Sequence, residues 1–511
     1  MGSGFTRRRF LKALSAAGAY LVLANAGGCG LLGGAPKLGS LRVPKHGPLG
    51  AMRVWPLPSV APVLPKGVWA FRSRPDLAPA AAEVAGSAYG TAPGYIFLAL
   101  KEGAGEHGPM ILDDRGQLVW YARYIAARDF KVQRYRGRPV LTWWEGTVVA
   151  GHGVGEYVVF DDSYREVRRV KAGNGYRGDL HEFLITPQDT ALLTAYAPAT
   201  ADLSSIGGPE VAPVWEGVAQ EVDIESGEVL FEWRSLRHVG VEESYVHPPD
   251  DPTLRHDYFH INSVDVYDED HLLISARNTW TVYKINRKTG ELVWRLGGKR
   301  SDFEMGEGTR TAFQHDARRH EDGTITVFDN GANLTGHVVS RAILLRPDEE
   351  EMGAALVREY ASPEELLSTS QGDAQLLSNG NVFVGWGSQP YLSEFSREGE
   401  LLLNARFPPD CESYRAFRFP WSGHPTDAPA VAVERRSEDR VALYASWNGA
   451  TEAATWEVIS GPSPNRLEPL GSVPRDGFET AMLVQSAHSY FAVRAKERSG
   501  GVLGTSAPLK L

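Results

Sequence analysis

Lys288-Thr289-Gly290-Glu291-Leu292-Val293-Trp294 reads as a tight turn followed by a short apolar run, and the pattern recurs along the chain. It appears as Asp114-Arg115-Gly116-Gln117-Leu118-Val119-Trp120, as Glu225-Ser226-Gly227-Glu228-Val229-Leu230 and as Arg397-Glu398-Gly399-Glu400-Leu401-Leu402. Each glycine suits a hairpin position with φ > 0, and each following run suits a strand. The intervals Gly116–Gly227, Gly227–Gly290 and Gly290–Gly399 are about 111, 63 and 109 residues. Two intervals near twice the third mean that two degenerate copies lie between, at Ser163-Tyr164-Arg165-Glu166 and Glu351-Met352-Gly353. Six hairpins at this period predict an all-β chain whose main body is a six-bladed β-propeller.

A second repeat, out of phase with the first, supplies the other half of each blade. Its copies lie at 180–196, 259–277, 314–330 and 371–387, with a weaker one at 130–145. In each, a polar start leads into strand, turn and strand. Only 363–368 has any helical look. After Trp421 the pattern changes, and short runs at 441–447, 455–459 and 489–495 predict a small immunoglobulin/fibronectin-like β-sandwich. The expected domains are a signal peptide (1–28), a Gly/Pro/Ala-rich tether (29–66), the propeller (67–422) and the sandwich (423–511).

The N-terminal stretch Thr6-Arg7-Arg8-Arg9-Phe10-Leu11-Lys12 fits a twin-arginine export signal, and the weakly apolar 13–26 is too short to span a bilayer. Ala24-Asn25-Ala26 fits ordinary signal cleavage, whereas Ala26-Gly27-Gly28-Cys29 resembles a lipoprotein box. Cysteine usage favours lipidation of Cys29, because the only other cysteine, Cys411, is remote and a bridge would merely tie down a leader. The expectation is therefore an exported protein, anchored to the outer face of the membrane through Cys29 or else secreted. The chain of 511 residues has a formal charge of −10. Residues 1–28 hold four bases and no acid, so a processed body is more acidic still and repels phosphate backbones; nucleic acid is excluded as a partner.

The repeats also make a chemical prediction. His181, His260 and His315 occupy the same phase of three successive copies. In a propeller, equal phase means equal radius and height, so the three imidazoles converge near the axis. Arg277 closes the second strand of the middle copy, where other copies carry Tyr196, Asp329 or Trp386, and adds a permanent cation there or an interblade salt bridge. Gly103-Ala104-Gly105-Glu106-His107-Gly108 matches a dinucleotide fingerprint by letter, but Pro109 and a hairpin follow it instead of a helix. No phosphate-cradling GxxxxGK[ST] segment occurs, which argues against a nucleotide-dependent sulfotransferase or kinase, and no cofactor is expected. His152, between two glycines, reads as a plain loop residue or as one near a rim.

At this point the chain resembles a known family. Segments 257–263 (DYFHINS), 273–277 (LISAR), 293–298 (VWRLGG), 314–317 (QHDA) and 326–330 (TVFDN) are similar to the arylsulfotransferases of the actinobacterial and fungal branch. The resemblance implies a six-bladed propeller and sulfuryl transfer from a phenolic sulfate ester to a phenol, without a nucleotide donor. It also implies His315 as nucleophile, with His260, His181 and Arg277 in support. Chemistry agrees: a neutral imidazole can attack sulfur, a guanidinium suits the sulfonate oxygens, and a second imidazole can move the phenolic proton. Asp316 or Asp257 would orient an imidazole. Two other readings stand beside this one. The three histidines suit zinc or copper, although Arg277 would set a fixed charge beside the ion. A non-catalytic surface propeller that binds a ligand or partner fits the same fold.

Overall fold

The computed structural model describes residues 53–58, 67–86, 89–124, 126–332 and 338–511. The twin-arginine segment, Cys29 and most of the expected tether lie outside them. Among the described residues the chain is all-β, with helical backbone confined to three single turns of 3-10 helix at Ser204–Ile206, Ser235–Arg237 and Val241–Glu243. The segment 363–368 forms no helix. Its Glu365 has φ +50°, a left-handed conformation that interrupts any right-handed turn.

Six four-stranded antiparallel meanders follow one another. Their innermost strands are Ala127–Tyr135, Gly178–Ile185, Ile261–Val266, His315–Arg319, Asp373–Leu376 and Glu412–Phe419. Each packs on the next, and the last packs on the first, so the inner strands close a ring in a propeller-like body. Closure is by strand exchange between distant parts of the chain. Glu412–Phe419 pairs antiparallel with Tyr95–Glu102, with Phe417 opposite Phe97.

The apolar core lies between neighbouring meanders. Leu273, Val282 and Trp294 of one sheet pack with Ile325, Val327 and Ile343 of the next. This is why strands such as Ile325–Asp329 and Val382–Gly385 are buried along their whole length instead of alternating. The hairpins singled out in the sequence all join the third strand of a meander to its outer fourth. Gly116, Gly227, Gly290 and Gly399 have φ between +72° and +94°, and the degenerate copies put Tyr164 (+62°) and Met352 (+50°) in the same left-handed position. A side chain there is disfavoured by about 1–2 kcal/mol. Tyr164 offsets that cost: its ring stacks on Trp120 at 4.9 Å and its hydroxyl donates to the Gly449 carbonyl at 2.8 Å.

The C-terminal region forms two sheets around one core that includes Leu443, Trp456, Val458, Met482 and Phe491. Val54–Pro56, which the sequence reading puts in the tether, is instead an edge strand of this unit, paired with Glu479–Gln485. Val54 is buried in that core, which is the physical reason the segment is ordered.

Within the ring a buried ion cluster ties the inner strands together. Arg415 reaches Asp129 at 3.1 Å, Asp316 at 3.2 Å and Glu182 at 3.5 Å. Lys131 meets Asp129 at 2.7 Å, and Arg318 meets Asp316 at 2.6 Å and also Glu182. Burial raises the Glu182 carboxyl, but Arg318, Lys131 and Arg415 outweigh it and hold the group well below the usual range. Arg415→Met should therefore lower stability by about 3–5 kcal/mol, because it strands buried carboxylates. A urea unfolding midpoint within error of wild type would contradict this role.

Candidate active site

The three in-phase histidines sit where their inner strands begin. His181 lies at the start of Gly178–Ile185, His260 immediately precedes Ile261–Val266, and His315 opens His315–Arg319. These are consecutive strands of the ring. All three entries carry a register shift, and His260 itself has φ +55°, so the chain turns sharply as it enters the strand. The rings of His181 and His260 are 4.9 Å apart and nearly perpendicular. His315 is depressed by burial and then by the positive charge of Arg277, with His181 and His260 adding to the effect. The Arg277 amide donates to the His260 carbonyl at 2.9 Å and its guanidinium lies over Phe313, two residues before His315, so all four sequence-predicted residues come to one end of the ring.

Their hydrogen bonds divide the imidazoles into two kinds. His181 Nδ1 donates to Asp179 Oδ2 at 2.5 Å, and His260 Nδ1 donates to Asp257 Oδ2. Among the described residues no carboxylate is hydrogen-bonded to His315. Its Nδ1 faces Asn330 Oδ1 at 2.7 Å and the Phe313 carbonyl at 3.0 Å, both acceptors, so the proton is on Nδ1. The Nε2 lone pair is left to face the Gln371 amide at 3.2 Å. The ring is held well below ordinary imidazole basicity, and so His315 is neutral at physiological pH.

Arg277 forms no ion pair with a carboxylate among the described residues. Its guanidinium lies over the Phe313 ring at 4.5 Å, donates to Asn278 Oδ1 at 2.8 Å and to the Thr369 carbonyl at 3.1 Å. The expected alternative, an interblade salt bridge, is not formed. A cation fixed by neutral groups keeps its charge for an anion.

Two sequence readings need correction. Asp316 does not orient His315. It has φ +56° and turns into the ion cluster, toward Arg318 and Arg415. His152 is not a plain loop residue. It sits at the tip of the hairpin Arg138–Val149/His152–Phe160 and donates from Nε2 to Asp257 Oδ2 at 3.0 Å. Its ring is 5.7 Å from that of His260, 4.3 Å from Tyr196 and 5.1 Å from Trp215. Asp257 therefore carries two imidazoles on one oxygen. Burial alone would raise its carboxyl, but the two histidines hold it far below the usual range. The sequence offered one signal for His152, the glycine-dense run 146–155, in which Gly146, Gly151, Gly153 and Gly155 recur.

Among the described residues the trio whose His and Asp donor atoms come within 4.8 Å of one another is His152, Asp257 and His260, not the His181/His260/His315 set weighed from the sequence. Here the shared carboxylate oxygen is already satisfied by both imidazoles. A cavity of about 610 Å³ opens at the other end of the inner strands, between Lys131, Leu184, Asp265, Arg318, His320 and Phe417. None of the four predicted residues lines it.

Comparison with known proteins gives one specific match. A family model described as Arylsulfotransferase (ASST) matches residues 131–408, more than half of the chain. No curated protein matches it. Among solved structures, a protein of unknown function from Bacteroides caccae aligns at 12% identity and TM-score 0.39, covering 64% of this chain and all of its own. A protein of unknown function from Dyadobacter fermentans aligns at 10% identity and TM-score 0.33, over 79% of this chain and 99% of its own. Virginiamycin B lyase from Staphylococcus aureus aligns at 6% identity and TM-score 0.31, over 79% and 98%. Similarities this low carry no argument about function.

Proposed function

The chain belongs to the arylsulfotransferase family, and from that premise we propose that it moves a sulfuryl group from a phenolic sulfate ester to a phenol through a sulfohistidine on His315. The observation that carries this reading is the division among the imidazoles. The one held by neutral acceptors, beside an arginine free of carboxylates, suits a neutral nucleophile. The two held by aspartates suit proton transfer.

In the first half-reaction His315 Nε2 attacks sulfur, an N–S bond forms, and the S–O bond to the aryl group breaks. The departing phenolate takes a proton from His260, with His181 beside it. Arg277 offers its planar fork to the sulfonate oxygens as their charge grows. In the second half-reaction the acceptor phenol gives its proton to His260 and its oxygen attacks sulfur, releasing His315. For attack, Nε2 must exchange the long bond from the Gln371 amide for the sulfur.

We assign residues 67–422 to a six-bladed propeller, one meander per blade, and 423–511 to an immunoglobulin/fibronectin-like sandwich. Residues 1–28 are read as the export signal and Cys29 as the lipidated residue of a protein tethered outside the cell membrane. Purified protein given 4-nitrophenyl sulfate and phenol should release nitrophenol and form phenyl sulfate, with parallel double-reciprocal plots. Retention of a stoichiometric metal by inactive protein would favour the metal reading. Absence of both transfer and metal would favour a binding propeller.

A further inference from the structure

One hairpin reaches both aspartates that hold the proton-handling imidazoles. Its two-residue turn, Ala150 (φ +51°) and Gly151 (φ +85°), joins Val149 directly opposite His152, a stiff and well-defined geometry. Past the turn, His152 Nε2 donates to Asp257, the partner of His260. The next residue, Gly153, donates its amide to Asp179 Oδ1 at 2.5 Å, and Asp179 is the partner of His181. The fit is close. A Cβ at Gly153 would stand 2.6 Å from the Leu180 amide, and one at Gly151 would stand 3.7 Å from His260 Cε1.

We propose that the tip at 149–153 is a strap that sets the proton positions of both aspartate-held imidazoles, with His152 a positioning residue that acts on His260 through Asp257. This rests on the sulfuryl-transfer reading only for its kinetic consequence. Around His152 stand Asp257 and His260 from the segment before the third inner strand and Asp179 from the second. Tyr196 and Trp215 complete the surroundings, with the Arg255 guanidinium over the Trp215 ring.

The carboxylate oxygen shared by His152 and His260 carries the charge of one group only. A proton arriving at the pair goes to His152. Burial lowers His152, but the bond to and charge of Asp257 and the charge of Asp179 leave it above an ordinary imidazole. His260 is below one, through burial and the nearby His181 and Arg277, against the pull of Asp257. With His152 cationic, Asp257 is already neutralised and supports a second cation poorly. Once its proton has gone to the leaving phenolate, His260 thus stays neutral in the sulfohistidine enzyme, its Nδ1–H on Asp257 and its Nε2 free to take the acceptor's proton.

Without the His152 charge, Asp257 acts wholly on His260, and its basicity rises. In the phenol half-reaction, which needs neutral His260, the acidic limb of the pH–rate profile should move up by roughly one pH unit. His152→Gln is the informative variant, since its amide can still donate to Asp257 without bringing a charge; His152→Ala removes both. The full chain, preloaded with 4-nitrophenyl sulfate and mixed with phenol, gives the rate. NMR of [13Cε1]-histidine protein, with the His260 signal assigned by His260→Asn, gives the titration without any activity. An upward shift of His260 in H152Q by both readouts supports the strap. An unmoved titration with lower rates makes His152 merely structural and overturns the proposal. Should H152A fail to fold, H152Q alone decides. If wild type forms no adduct, the transfer reading fails, and the NMR titration still tests the strap.

Discussion

His315→Asn is expected to leave a folded protein that transfers no sulfuryl group. An amide at this position can still donate to Asn330 Oδ1 and to the Phe313 carbonyl, the two acceptors that hold the ring. The inner strand should therefore keep its place, and the unfolding transition should shift little. What disappears is the ring nitrogen with a lone pair, for which neither His181 nor His260 is equivalent, since each is committed to an aspartate. Removing a covalent nucleophile typically lowers turnover by at least about 10⁴-fold. Steady-state nitrophenol release with phenol in excess measures it. Activity within tenfold of wild type would mean that another group attacks sulfur.

Arg277→Lys has the second largest expected effect, a fall in kcat of about 10²- to 10³-fold. The guanidinium is oriented three ways: its face on Phe313, one N–H on Asn278 and another on the Thr369 carbonyl. Two of its five N–H groups are thereby used, and the rest of the fork is available to a sulfonate. An ammonium keeps the charge, so the electrostatic depression of His315 should survive, but it cannot keep the bidentate geometry. The loss should fall mainly on kcat, because charge on the non-bridging oxygens grows toward the transition state. A variant that raises KM alone would place Arg277 in ground-state binding instead.

Much of the architecture was legible from the turns. The glycine hairpins mark the outer edge of four of the six meanders because a two-sided sheet needs a tight turn there, and the in-phase histidines follow from the same period. The ring's closure was not legible, since Glu412–Phe419 and Tyr95–Glu102 belong to one sheet but lie at opposite ends of the repeat region. No contiguous copy exists to align. The site was legible where it obeys the repeat and illegible where it does not. Asp179 and Asp257 precede their histidines by two and three residues, a local pairing that was available but unused for His181. Asp316 misled because adjacency in sequence says nothing about direction. At φ +56° it turns from His315 toward Arg318 and Arg415 of the ion cluster. His152 comes from the third strand of a neighbouring meander, where no phase relation links it to the others, and only its glycine surroundings hinted at a close approach.

The most direct test is to quench the protein after mixing with an aryl sulfate alone, digest it under conditions that preserve the N–S bond, and map the sulfuryl mass increment. The account predicts one increment per chain, on the peptide carrying His315, discharged when phenol is added before the quench. An increment on His181 or His260, or transfer without any adduct, would contradict it.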